Sequence, residues 1–232
     1  MEPAYLEDRA VLAVTGPEAR GFLQGLITND IEGLSPGRGI YAALLTPQGK
    51  IAFDFLIAEG EGAILLDCAA GAAEGLLKKL RLYRLRAKVE IELREQLGVY
   101  VNLAGHPENR PAEYAARAVT FPDPRNAALG MRSIASRDEM PVRIATAAVY
   151  HAHRLALGVP EGDDFGSDRM FALDAGLDEL HGVSFRKGCY VGQELTARMK
   201  HRGTARKRLL LVTAEKLPAP DTPVTANGVS LG

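Results

Sequence analysis

Arg186-Lys187-Gly188-Cys189-Tyr190-Val191-Gly192-Gln193-Glu194 brings a thiol, two glycines, a carboxamide and a carboxylate into one turn-like segment. The glycines allow a positive φ or a close backbone approach, and the run from Glu194 to Lys200 that follows has helical composition. Cys189 is therefore expected just ahead of a helix N-terminus. There the helix dipole, with Arg186, Lys187, Arg198, Lys200, His201 and Arg202, would favour the thiolate. A free cysteine is more often a small buried hydrophobe, but the flanking glycines and cations favour a reactive sulfur here. Cys68, at the end of a strand with no cations nearby, reads as structural.

The same segment resembles the signature of the YgfZ family, folate-binding proteins that act in iron–sulfur cluster assembly or repair and are related to the aminomethyltransferase (T-protein) of the glycine cleavage system. The likeness continues through Gly21-Phe22-Leu23-Gln24-Gly25, Thr28-Asn29-Asp30, Gly49-Lys50 with Asp54, and Tyr83 to Val89. It extends further to Asp123-Pro124-Arg125, Leu129-Gly130, and Arg154 with Gly158-Val159-Pro160, so it covers nearly the whole chain. It implies an α+β, aminomethyltransferase-like multidomain fold around a central folate crevice. Residues 1–205 would form the folate-binding body, with a ferredoxin-like unit at about 40–95, and residues 206–232 would begin a C-terminal β-barrel that is truncated here.

Of the 232 residues, 47% are hydrophobic and 25% charged, which suits a soluble globular chain. A formal net charge of −1 argues against a general nucleic-acid or membrane-surface binder, leaving Arg198 to Arg208 as the local basic candidate. Two cysteines cannot build a disulfide scaffold, and no Cys/His spacing suggests a metal site. The first nine residues are too acidic and too poor in apolar residues for a signal or transit peptide. No apolar run approaches the roughly 20 residues of a membrane helix. These readings point to a reducing compartment, with the cytoplasm as the default.

Taken in order, Ala10–Val14 reads as a strand and Thr15 as the N-cap of a helix to about Leu26. Ile40–Leu45, Ile51–Ala58 and Ala63–Asp67 form an antiparallel meander, with a hairpin turn at Pro47–Lys50. A helix over Ala69–Leu82 and a strand over Ala87–Leu93 complete the β-β-β-α-β order of a ferredoxin-like unit. Leu97–Leu103 and Ala118–Phe121 read as strands, and Gly105–Pro111 as a loop without an assigned role. A helix over Val142–Leu157 stops at Gly158-Val159-Pro160, and an acidic loop spans Glu161–Asp168. Arg206–Val212 and Val224–Leu231 read as further strands.

A folate site needs an acceptor for the N–H edge of the ring, an apolar or aromatic wall, and cations for the glutamate tail. The resemblance sets Asp54 at the second of two paired aspartates in the aminomethyltransferases, with Phe53 at the first. It sets Ala156 where those enzymes carry a folate-holding glutamate. Tyr83 and Arg86 are candidate pocket walls, Arg154 a candidate tail contact, and Gln193 and Glu194 would order the cysteine loop. Each also has an ordinary reading, as a strand polar residue, core packing or a salt-bridged helix residue. The resemblance implies tetrahydrofolate or a one-carbon derivative as cofactor, and Cys189 as a redox-active or cluster-contacting thiol. The expected function is support of iron–sulfur enzymes, including ones that modify tRNA, with those enzymes as partners and with no direct nucleic-acid or membrane contact. A tetrahydrofolate-dependent aminomethyltransferase is the alternative.

Overall fold

Five antiparallel strands form the central sheet of this computed structural model, which describes residues 3–103, 118–139, 145–203, 208–214, 216, 219 and 222–230. The chain begins with β1 (Ala4–Tyr5) and β2 (Arg9–Thr15), followed by the short helix α1 (Ala19–Gln24). The meander is β3 (Ile40–Leu45), β4 (Ile51–Gly60) and β5 (Ala63–Ala69), and α2 (Ala73–Arg84) leads to β6 (Glu90–Leu93). The spatial order is β3-β4-β5-β2-β6. The β-β-β-α-β unit is thus completed by a strand from outside the 40–95 interval, since β2 pairs β5 on one side and β6 on the other.

A second antiparallel sheet has the order β1-β7-β9-β8, built with β7 (Leu97–Asn102), β8 (Val119–Pro122) and β9 (Met131–Ser136). Helix α3 (Ala147–Ala156) follows, then α4 (Gln193–Arg202) and the small hairpin β10 (Thr225–Ala226) and β11 (Val229–Ser230).

Strand alternation gives the central sheet two buried faces. Leu12, Val14, Ala42, Leu44, Phe55, Ile57, Leu66 and Cys68 pack with Leu23 of α1 and Leu76, Leu77 and Leu80 of α2. Val11, Ala13, Tyr41, Ala43, Leu56 and Leu65 face Val99, Phe121 and Ile134 of the second sheet and Tyr150 of α3. Helices, central sheet and second sheet therefore make three layers.

Several local expectations are corrected. Glu18 rather than Thr15 occupies the N-cap of α1, which spans only six residues. Strand β9 had no sequence assignment, because Met131-Arg132-Ser133 places a full charge where a core alternation would show an apolar residue. Residues 208–212 join no sheet ladder, and 206–207 lie outside the described residues. The Val224–Leu231 segment is a hairpin turning at Asn227-Gly228 rather than one strand. The loop at 105–111 and the start of the Val142 helix also lie outside the described residues.

Candidate functional site

The loop before α4 is fastened from three directions. Thr28 Oγ1 donates to the Gly182 carbonyl at 2.6 Å while accepting from the Ala43 amide at 2.9 Å, and Asn29 Nδ2 donates to Tyr41 and His181 carbonyls, each at 2.7 Å. These bonds stitch residues 181–184 to β3. The Lys187 ammonium donates to the carbonyls of Gln24, Ile27 and Asn29 at 2.6–2.8 Å, where α1 ends and its last carbonyls lack helical partners. Burial pushes the Lys187 pKa down to about 8, with Asp30 opposing the shift.

At the other end of the loop, Gly192 sits at φ 79° as the N-cap of α4, and a Cβ there would stand 2.4 Å from the Thr46 carbonyl oxygen. Gly49, at φ 80°, meets Leu195 and the Gly192 carbonyl from the hairpin turn. Only glycine lets these two backbones approach so closely. Tyr190 is buried, and Cys189 between these anchors is exposed. The thiol lies four residues ahead of the helix, as its glycines suggested. The neighbouring cations are placed differently from the sequence reading: Lys187 is turned into the carbonyls, and Arg198 pairs with Glu194 at 2.7 Å. Gln193 Oε1 accepts from the Tyr190 amide at 3.3 Å and so closes the loop, while the Glu194 side chain is 87% exposed.

β4 links this loop to a cleft. About 10 Å along the strand from its turn, Phe53 lines a cavity of about 550 Å³. Phe53 packs its ring on Gly75, where a Cβ would lie 3.3 Å away. Arg154 and the Glu161–Asp164 turn form the opposite wall. Arg154 Nη1 donates to Asp164 Oδ2 at 2.6 Å, and its Nε lies 3.3 Å from Glu161 Oε1. Asp54 lines a smaller adjoining chamber of about 60 Å³. Its carboxylate accepts from the Gly162 amide and the Tyr41 hydroxyl, each at 3.1 Å. Burial pushes the Asp54 pKa up and Glu161 adds to the shift, while Arg9 and Arg125 oppose it.

Behind the cleft, between the two sheets, lies a buried ionic cluster that sequence reasoning missed. Asp67 receives Arg9 Nε at 2.7 Å and Arg132 Nη1 at 2.6 Å. Arg125 donates to both oxygens of Asp123, at 3.0 and 2.7 Å, and to Glu161 Oε2 at 2.6 Å. The Tyr150 hydroxyl accepts from Arg125 and Arg132, each at 2.7 Å, and donates to Glu161 at 3.1 Å, so all its capacity is used. Burial opposes the charge of Glu161, but Arg125, Arg9 and Arg132 outweigh it and hold the carboxyl well below its usual range. Asp123 is likewise held down by Arg125 and Arg132 against burial. The available signal was a charge inside an otherwise apolar strand, at Asp67 in β5 and Arg132 in β9.

Tyr83 and Arg86 are not brought to this cleft. They lie at the far end of α2, about 12–16 Å along the axis from Gly75, with Tyr83 packed on the helix-side core and Arg86 exposed. Cys189, Gln193 and Glu194 also lie outside the cleft lining. Of the expected ring and tail contacts, Arg154 lines the cleft and Asp54 the chamber behind it.

The volume suits a drug-sized ligand, for which pockets of about 300–1,000 Å³ are usual. Phe53 offers an apolar wall and the carboxylate-rich Glu161–Asp164 turn offers acceptors, so the residues fit the donor-bearing ring of a reduced folate.

Residues 9–111 match the family model described as the GCVT N-terminal domain. The chain is 37% identical to human "Iron-sulfur cluster assembly factor IBA57, mitochondrial", covering 98% of this chain and 72% of that protein. It is 35% identical to the mouse protein of the same name, with 98% and 68% covered. A Neurospora crassa homologue is 34% identical, and there the chain spans 56% of the relative's length. The crystal structure of glycine cleavage system aminomethyltransferase T from Bartonella henselae superposes with a TM-score of 0.67 over 87% of this chain and 64% of that one. At 17% identity this likeness shows the aminomethyltransferase-like fold alone. The names of the human, mouse and Neurospora relatives place them in mitochondria, which overturns the cytoplasmic expectation. That expectation rested on cysteine usage, which reads the redox state of a compartment and not which compartment it is, together with the composition of the first nine residues and the lack of a membrane-length apolar run.

Proposed function

The chain belongs to the family of IBA57 iron–sulfur cluster assembly factors, and from that premise we propose that it supports cluster assembly through the Cys189 thiol, with a reduced folate held in the neighbouring cleft. The observation that carries this reading is an exposed sulfur on a loop whose backbone is fixed by Thr28, Lys187 and Gly192. Such a thiol can meet an iron atom on another protein with little ordering cost, since the loop is already in place. Phe53 would wall the folate ring, Arg154 would hold the Glu161–Asp164 turn against it, and Asp54 would fix that turn from behind through the Gly162 amide. When bound, a reduced folate supplies a carrier for one-carbon units.

The clients we propose include iron–sulfur enzymes that modify tRNA, in keeping with the YgfZ-like signature around Cys189. We also propose residues 1–205 as the folate-binding body and 206–232 as the start of a second unit, supported by the β10–β11 hairpin forming its own sheet. The test is anaerobic mixing of the chain with a thiolate-bound [2Fe–2S] donor protein, followed by visible circular dichroism. The wild type should change the cluster signal and Cys189→Ser should not; equal signals from both would overturn the role of the thiol.

A further inference from the structure

The outward end of α2 carries a concentrated basic surface, separate from the Arg198 to Arg208 segment. Lys78, Lys79, Arg81, Arg84, Arg86 and Lys88 fall within eleven residues that contain no acid, in a chain whose formal net charge is −1. The overall charge therefore conceals a strong local excess. Leu82 and Leu85 stand among these cations, 67% and 85% exposed, three residues apart on the side of α2 away from the core. Leu85 also closes the helix at φ 45° and ψ −104°, a conformation that disfavours any side chain and a leucine especially. Isolated exposed leucines are ordinary; two on one protruding end, one of them on strained backbone, are not.

We propose that this end of α2 docks on an anionic lipid surface, with Leu82 and Leu85 entering the headgroup region and the surrounding cations meeting lipid phosphates. Charge complementarity favours that occupant, because clusters of about four to eight Lys/Arg beside an apolar element are the usual pattern for acidic lipids. Nucleic acid fits less well. The one aromatic in the segment, Tyr83, is half-buried with Lys79 5.5 Å over its ring, so no base-stacking platform is offered. Some of the basic surface is already committed, since Arg81 donates to the Ile91 carbonyl at 3.0 Å and Glu90 and Glu92 border the groove beside Arg84. The leucines and the remaining cations face outward.

Flotation of the full chain tests this with vesicles of phosphatidylcholine alone and of phosphatidylcholine mixed equally with phosphatidylglycerol. Binding is expected only to the anionic vesicles and should weaken as salt is raised. Leu82→Ser/Leu85→Ser should lower vesicle affinity about tenfold or more through lost apolar burial, and Arg84→Glu/Arg86→Glu should abolish binding. All four positions are exposed, and circular dichroism verifies that both variants fold. No binding to anionic vesicles, equal binding to neutral ones, or an undiminished affinity of the double-leucine variant would each overturn the proposal. Retention of a duplex RNA without vesicle binding would reassign the surface to nucleic acid.

Discussion

Replacing Arg125 by leucine removes the cation that holds Asp123 and Glu161 together between the sheets. The guanidinium is fully buried and makes four short side-chain bonds, two to Asp123, one to Glu161 and one to the Tyr150 hydroxyl. Its loss leaves two carboxyls at 2–4% exposure without their main partner. Breaking a buried pair from one side costs about 3–5 kcal/mol, because the remaining charge cannot return to water. That is a large share of a total stability of about 5–15 kcal/mol. For a chain of this size about 2–4 °C is lost per kcal/mol, so the melting temperature should fall by roughly 6–20 °C. Urea denaturation at neutral pH, read by far-ultraviolet circular dichroism, measures the loss directly. A loss below about 1 kcal/mol would refute the reasoning, since it would mean that the cluster is hydrated or rearranges at no cost.

The same carboxyls set an acid limit. Glu161 and Asp123 titrate below their ordinary values of 4.5 and 3.8 in the folded state, so their contribution is complete above that range and is lost as pH falls through it. Asp54, shifted upward by burial, contributes with the opposite sign: its stabilisation is present below its ordinary value of 3.8 and is lost as pH rises through the raised folded value, so Asp54→Asn should flatten that part of the pH profile of unfolding. Iodoacetamide should label Cys189 alone in the native protein, counted by intact-mass spectrometry, while Cys68, buried with its thiol pushed up to about 12, should react only after denaturation. Asp54→Ala should weaken tetrahydrofolate binding by up to about 1.5 kcal/mol in calorimetric titration, because the Gly162 amide loses its acceptor and the turn its fixed position. Gly192→Ala should drive the cysteine loop off the hairpin turn and raise proteolysis there, since a methyl group meets the Thr46 carbonyl at 2.4 Å.

The strands that carry the central sheet were legible because period-two alternation and the turn at Pro47–Lys50 both act locally. The insertion of β2 between β5 and β6 was not, since strand order is decided by which faces pack and not by any one segment. The exposed thiol could be read from Gly192, whose positive φ and close contact with the hairpin turn the fold uses, whereas Gly188 has open space around it. Its electrostatic surroundings could not: Lys187 is adjacent in sequence, yet its ammonium is turned to the end of α1. Tyr83 and Arg86 were drawn to the folate site by family resemblance alone, and the length of α2 carries them away from the cleft. Arg9, Asp67, the Arg125–Arg132 stretch and Glu161 converge from four separated parts of the sequence, so spacing carries no sign of them.

The most direct test of the central claim is complementation in cells lacking the chromosomal gene, with the activity of an iron–sulfur enzyme measured in extracts and tetrahydrofolate binding measured on the purified variants. Cys189→Ser should leave the iron–sulfur enzyme inactive while binding tetrahydrofolate as the wild type does. Full enzyme activity with Cys189→Ser or Cys189→Ala would contradict the account, and would mean that the loop is kept for its glycines and its packing.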